Sequence, residues 1–241
     1  MKCTAGLITT VLAVAAAVPA CAQITLGQID TFEDGTTQGW GVGPGGSPVP
    51  PVNVAGGGPN GANDNYLLLT SLGGAGGPGS RLVAFNMAQW AGDYLSAGVG
   101  LIQMDLNNLG TTDLSLRLLL ADPAQGPPSN IAITDAFLLP AGSGWTHASF
   151  SISPSSLITL LGSANAALTN ATELRIFHNP APDFPGPPIG IPAIQASLGV
   201  DNIAAVPEPS AVLLVTVGGL MLMVQRRNLG RLGSRSTRRW R

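Results

Sequence analysis

Gln103, Asp105, Arg117, Glu173, Arg175 and Phe177 are the side chains of this sequence best suited to hold a ligand. Each sits at the outward phase of a period-two hydrophobic pattern, so a sheet would turn it away from its core. Arginine presents forked donors that suit carboxylates and vicinal hydroxyls. A concave sheet bearing these groups could bind a polysaccharide. The same groups also suit plain cross-strand ion pairs on a solvated face. Trp40, Trp90, Tyr94 and Trp145 pose a similar choice, between sugar-stacking platforms and buried anchors.

Catalytic chemistry finds little support. No G-x-S-x-G, H-E-x-x-H or phosphate loop occurs in the sequence. Asp93 beside Tyr94 and Glu33 beside Asp34 offer carboxylates, but nothing places a pair of them across a cleft as a glycosidase needs. His147 and His178 lack a third ligand at metal spacing. The expectation is a protein that is not an enzyme.

The elements that must position these residues read as short strands between turn clusters. They are expected at Gln28 to Phe32, Tyr66 to Ser71, Arg81 to Asn86, Val99 to Asn107, Asp113 to Ala121, Ile131 to Leu138, Trp145 to Ile152, Glu173 to His178 and Ser197 to Ala204. Ile102, Met104 and Leu106 should share one face, as should Leu114, Leu116, Leu118 and Leu120. Pro154-Ser155-Ser156 reads as the start of one helix, Ser155 to Leu161, stopped by Gly162. Gly41 to Asn63 and Pro180 to Pro192 read as irregular segments draped over the strands. The fold class is all-β, a jelly-roll-like β-sandwich, with a signal-peptide helix before it and a hydrophobic helix after it.

Charge is segregated along the chain. Seven of the eleven basic residues follow Val224 and one is Lys2, which leaves only Arg81, Arg117 and Arg175 between. The central part is therefore acidic and unsuited to nucleic acid. Lys2, the apolar stretch Leu7 to Val18 and Ala20-Cys21-Ala22 before Gln23 form a secretion signal over residues 1–22. A lipid-anchor reading would use Cys21, but Pro19 disfavours it. Both cysteines, Cys3 and Cys21, fall within this signal, so residues after it have no thiol for a disulfide or a metal. Residues 23–205 are long enough for one domain with a sizeable core.

The other end carries Val206-Pro207-Glu208-Pro209-Ser210, an apolar run from Ala211 to Val224, and Arg226-Arg227. Fourteen apolar or small residues make about 21 Å of helix, short of the roughly 30 Å of a bilayer core. This order resembles the PEP-CTERM sorting domain of exported bacterial proteins. The resemblance covers residues 206–228 and leaves 229–241 as a basic cytoplasmic tail. It implies an exosortase-type processing enzyme as partner, a transient stay in the inner membrane, and a final place at the cell surface or in the extracellular matrix of a Gram-negative bacterium. An ordinary short tail anchor is the other reading.

Asp30-Thr31-Phe32-Glu33-Asp34-Gly35 with Trp40, Trp145 to Phe150, and Gly199-Val200-Asp201-Asn202-Ile203 resemble parts of galactose-binding and carbohydrate-binding jelly-roll modules. That resemblance implies adjacent first and last strands clipped by a structural Ca²⁺. Glu33 and Asp201 match its ligand positions, with Asp34 as a further candidate. Calcium takes six to eight oxygens, which carboxylates and carbonyls can supply. The expected function is non-enzymatic adhesion or exopolysaccharide binding; the competing one is a self-associating envelope protein with no sugar ligand.

Overall fold

The computed structural model describes residues 23–43, 46–74, 76–122, 127–181 and 190–208. The secretion signal, Pro209, Ser210, the apolar run, Arg226, Arg227 and the basic tail lie outside the described residues. Among the described residues no helix is long and apolar enough to cross a membrane.

Strands β1 (Ile29–Asp30), β2 (Val52–Val54), β3 (Tyr66–Leu72) and β4 (Val83–Asn86) precede helix α1 (Tyr94–Ala97). Next come β5 (Leu101–Asn108), β6 (Leu114–Asp122), β7 (Asn130–Ile133), β8 (Phe137–Leu139), β9 (Trp145–Ser151) and β10 (Ile158–Leu161). Helix α2 (Ala164–Thr169), β11 (Glu173–His178) and β12 (Gln195–Val206) complete the order. All pairings are antiparallel and form two six-stranded sheets. The first runs β2-β3-β12-β5-β9, with β1 also on β12; the second runs β10-β7-β6-β11-β4, with β8 also on β6.

The alternation seen in the sequence sets the core. β5 buries Ile102, Met104 and Leu106, and β6 faces them with Leu114, Leu116, Leu118 and Leu120. β6 departs from simple alternation, because Arg117, Leu119 and Ala121 on its other face are buried too. There Leu119, Ala121, Ile133 and Phe177 join Ile191 in a second apolar cluster. The 190–194 stretch thus covers part of the second sheet, which period-two reading had assigned to solvent.

The expected helix at Ser155 to Leu161 is instead a strand. Pro154-Ser155-Ser156 makes only a turn, with Ser156 N–H and Leu157 N–H both donating to the Ser153 carbonyl. Ile158 and Leu160 then pack on the second cluster while Thr159 and Leu161 point outward. A two-residue period fits that surface and a helical one does not. The helix, α2, begins later, with Ser163 Oγ accepting from Ala166 N–H as its cap. Gly41 to Asn63 is largely irregular, yet its Val52–Val54 still adds an edge strand to β3.

Candidate functional site

The last strand carries an irregularity at its most polar point. β3 covers one side of β12 from Gln195 to Val200, and β1 takes over at Ile203 and Ala204. Between them, at Asp201 and Asn202, the register with β5 slips. Asn202 adopts a positive φ of 50°, which asparagine tolerates better than most residues. Glu33 lies just beyond the end of β1 and Asp64 just before β3, so both approach this gap.

A carboxylate cluster results. Asp201 is 0% exposed and stands opposite Asp105 of β5. Asn202 Nδ2 donates to Asp105 Oδ2 at 2.9 Å and to Asp201 Oδ2 at 3.2 Å, and its backbone N–H donates to Asp201 Oδ1 at 2.7 Å. Burial raises the Asp201 carboxyl most, the Asn202 amide opposes it, and the charges of Asp64, Asp105 and Glu33 push it further, to about 7. Glu33 Oε1 accepts the Asn65 N–H and Asp64 Oδ2 accepts the Asn60 N–H. Asp34 is engaged within its own turn. Its carboxylate accepts the N–H and hydroxyl of Thr36, which hold it below its ordinary value. Its residue type had drawn it into the expected calcium set, but its geometry is that of a turn. Asp64 was missed, although its place directly before the Tyr66 strand was the available signal.

Carboxylate oxygens suit a hard cation such as Ca²⁺, though both Asp201 oxygens already accept from Asn202. Among the described residues no group of three or more His, Cys, Asp or Glu side chains is arranged to hold a metal ion. Backbone carbonyls would have to complete a coordination shell. A buried carboxylate beside like charges has to be neutralised, and a raised pKa does so with a proton.

Next to this cluster, the outer face of the first sheet carries an aromatic pair. Tyr66 and Trp145 meet edge to face with centroids 5.3 Å apart. A Cβ on Gly199 would come within 2.9 Å of Trp145 Cη2 and 3.3 Å of Tyr66 Cδ2, so glycine there makes room for both rings. Trp145 Nε1 donates to the Gly57 carbonyl. In the neighbouring rows His147 Nδ1 lies 2.9 Å from Asp105 Oδ1, and Gln103 Nε2 donates to Ser149 Oγ at 3.1 Å.

The expected ligand face does not exist as one surface. Gln103 and Asp105 lie on β5 in the first sheet, while Arg117, Glu173, Arg175 and Phe177 lie on β6 and β11 in the second. Outward faces of opposite layers point away from each other, a fact that strand periodicity cannot report. The arginines are also engaged. Arg117 is only 5% exposed and donates through Nε to Asn179 O and through Nη1 to Thr134 O, both at 2.9 Å. Arg175 pairs with Glu173 and lies 4.5 Å over the Phe85 ring. Phe177 is buried in the second cluster.

Trp40, Trp90 and Tyr94 are core residues. The two indole N–H groups converge on Asp30 Oδ2, at 2.8 Å from Trp40 and 2.6 Å from Trp90. A cavity of about 350 Å³ opens beside β3 and β4, where Val42, Val49, Leu69, Arg81 and Val83 are among its lining. Among the described residues no aromatic ring or carboxylate lines it.

No family model matches this sequence, and no curated protein does either. Solved structures do resemble the fold. An exo-β-agarase matches 77% of this chain at 12% identity with a TM-score of 0.53, and the chain spans 26% of that enzyme's length. A family 11 carbohydrate-binding module from Clostridium thermocellum, solved with a β-1,3-1,4-mixed-linked tetrasaccharide, matches 76% of this chain and 99% of its own at 15% identity and a TM-score of 0.49. The likeness to part of the agarase defines the class by fold, an antiparallel β-sandwich.

Proposed function

We propose that this chain is an exported, non-catalytic polysaccharide-binding protein. The observation that carries the reading is the outer face of the first sheet, where the Tyr66–Trp145 pair adjoins Asp105, His147, Gln103 and Ser149. Rings that stack on sugar faces beside groups that read hydroxyls are what such binding needs. Because part of an exo-β-agarase shares this fold, agarose is the first polysaccharide to try. Affinity electrophoresis in agarose and in acidic exopolysaccharide gels tests the reading. Retardation lost in Trp145→Ala supports it; no retardation in any gel sinks it.

A structural Ca²⁺ belongs to the same proposal. Glu33 and Asp201 with nearby backbone carbonyls would hold it, and it would neutralise the buried carboxylate while fastening β1 to β12. Sorting by an exosortase-type enzyme through Val206 to Ser210, with passage through the inner membrane to the surface or matrix, completes the proposal. Its support is the order of motif, apolar run and Arg226-Arg227. Val206 to Glu208 do not stand free of the domain. Val206 pairs with Leu101, its carbonyl accepts the Gly100 N–H, and a Cβ on Gly100 would strike Glu208. A processing enzyme would therefore work close against the end of the sandwich.

A further inference from the structure

We propose that two copies of this chain join edge to edge through β9, making one continuous sheet from their two first sheets. An edge strand exposes backbone donors and acceptors to any strand that can align with it, and folded proteins usually blunt such edges. Three edges here are blunted. β2 has only three residues. β4 is bonded on its outer side by Gly41, which exchanges both hydrogen bonds with Phe85. β10 has four residues and its register slips between Thr159 and Leu161. β9 is different: it has seven residues, pairs among the described residues with β5 on one side only, and contains no proline and no charged Asp, Glu, Lys or Arg.

Alternation tells which backbone groups are free. Ile152 N–H donates to the Gly100 carbonyl, so Phe150, Ala148 and Thr146 turn their backbone groups toward β5. Ser151, Ser149, His147 and Trp145 turn theirs outward, and no backbone group among the described residues bonds to them there.

The strand is self-complementary about Ala148. An antiparallel copy centred on that residue sets His147 opposite Ser149 of the second copy, and Trp145 opposite its Ser151. Both are pairs whose backbone groups point at each other. Each large side chain then meets a small one, and alanine meets alanine at the twofold axis. Thr146 of the second copy would face Phe150 on the inner side, where a cleft of about 140 Å³ opens between Phe150 and the turn holding Thr134 to Phe137. The charge-free strand lets two acidic domains approach at this edge without like charges in contact. The proposal does not depend on sugar binding.

Sedimentation velocity of the full chain in detergent tests it, with variants that differ only in β9. The wild type should sediment as a dimer. The His147→Lys, Ser149→Lys double variant sets like charges opposite each other twice and should weaken association about tenfold or more. The His147→Lys, Ser149→Glu double variant sets opposite charges there and should restore it. Circular dichroism should match in all three, as should thermal melts taken dilute enough that every variant is monomeric. In the wild type, amide exchange at His147 and Ser149 should slow as concentration rises. A monomeric wild type, equal association in the two double variants, or exchange at those amides that ignores concentration would overturn the proposal.

Discussion

Asp105 and Asp201 stand directly opposite each other on β5 and β12, with the Asn202 side-chain amide donating to both. Like charges facing across a strand pair are unfavourable, and burial makes Asp201 the member that holds a proton. Its carboxyl rises from an ordinary 3.8 to about 7 in the folded chain. A raised folded value means the folded state binds the proton more tightly. The stabilisation is complete below about pH 4 and is lost as pH rises through 7. Without calcium, stability from this group should fall between pH 4 and 7 by on the order of 2–4 kcal/mol. Urea melts across that range check it, and Asp201→Asn should flatten the slope.

Calcium should reverse this trend. At a hundredfold excess over Kd, a bound ion adds about 2.7 kcal/mol by mass action. The melting temperature at pH 8 should rise with Ca²⁺ and fall with chelator, and Asp201→Ala should remove both responses. Asp34→Ala should leave them intact, since that carboxylate is committed to Thr36. Equal melts with ion and with chelator would dispose of the site.

Asp30 organises the core around Trp40 and Trp90. Asp30→Ala leaves two buried indole donors without an acceptor, at a cost of about 2–4 kcal/mol. Denaturant titration followed by tryptophan fluorescence reads both the loss and its place.

The two faces can be told apart by mutation. Arg117→Ala removes two buried bonds to carbonyl oxygens and should lower stability by about 2–3 kcal/mol. Polysaccharide binding by the folded variant should not change. Trp145→Ala should do the opposite, sparing stability more than binding. Binding lost with Arg117 in a folded variant would return the site to the second sheet.

Processing is read by intact mass. Protein recovered from its native host should lack residues 1–22 and those beyond the Pro-Glu-Pro motif, and Glu208→Ala should accumulate as precursor in the inner membrane. A chain ending at Arg241 in the envelope would contradict this.

Much of the fold was legible because a two-residue period records which side of a strand is apolar. Ile102, Met104 and Leu106 against Leu114, Leu116, Leu118 and Leu120 could be read off directly. Polar side chains at the opposite phase could also be recognised as outward, since burying them costs free energy. What period cannot record is the layer to which a strand belongs. Long-range pairing alone put Gln103 and Asp105 in one sheet and Arg117, Arg175 and Phe177 in the other. Arg117 looks solvated in sequence because the carbonyls of Thr134 and Asn179 that receive it are fixed only on folding. The same holds for Asp64, which meets Asp201 across more than half the chain. Local order determined the strands, their apolar faces and the acids near the first and last of them. Only the tertiary structure decided which charges meet, because their proximity is set by sheet order and register rather than by separation along the chain.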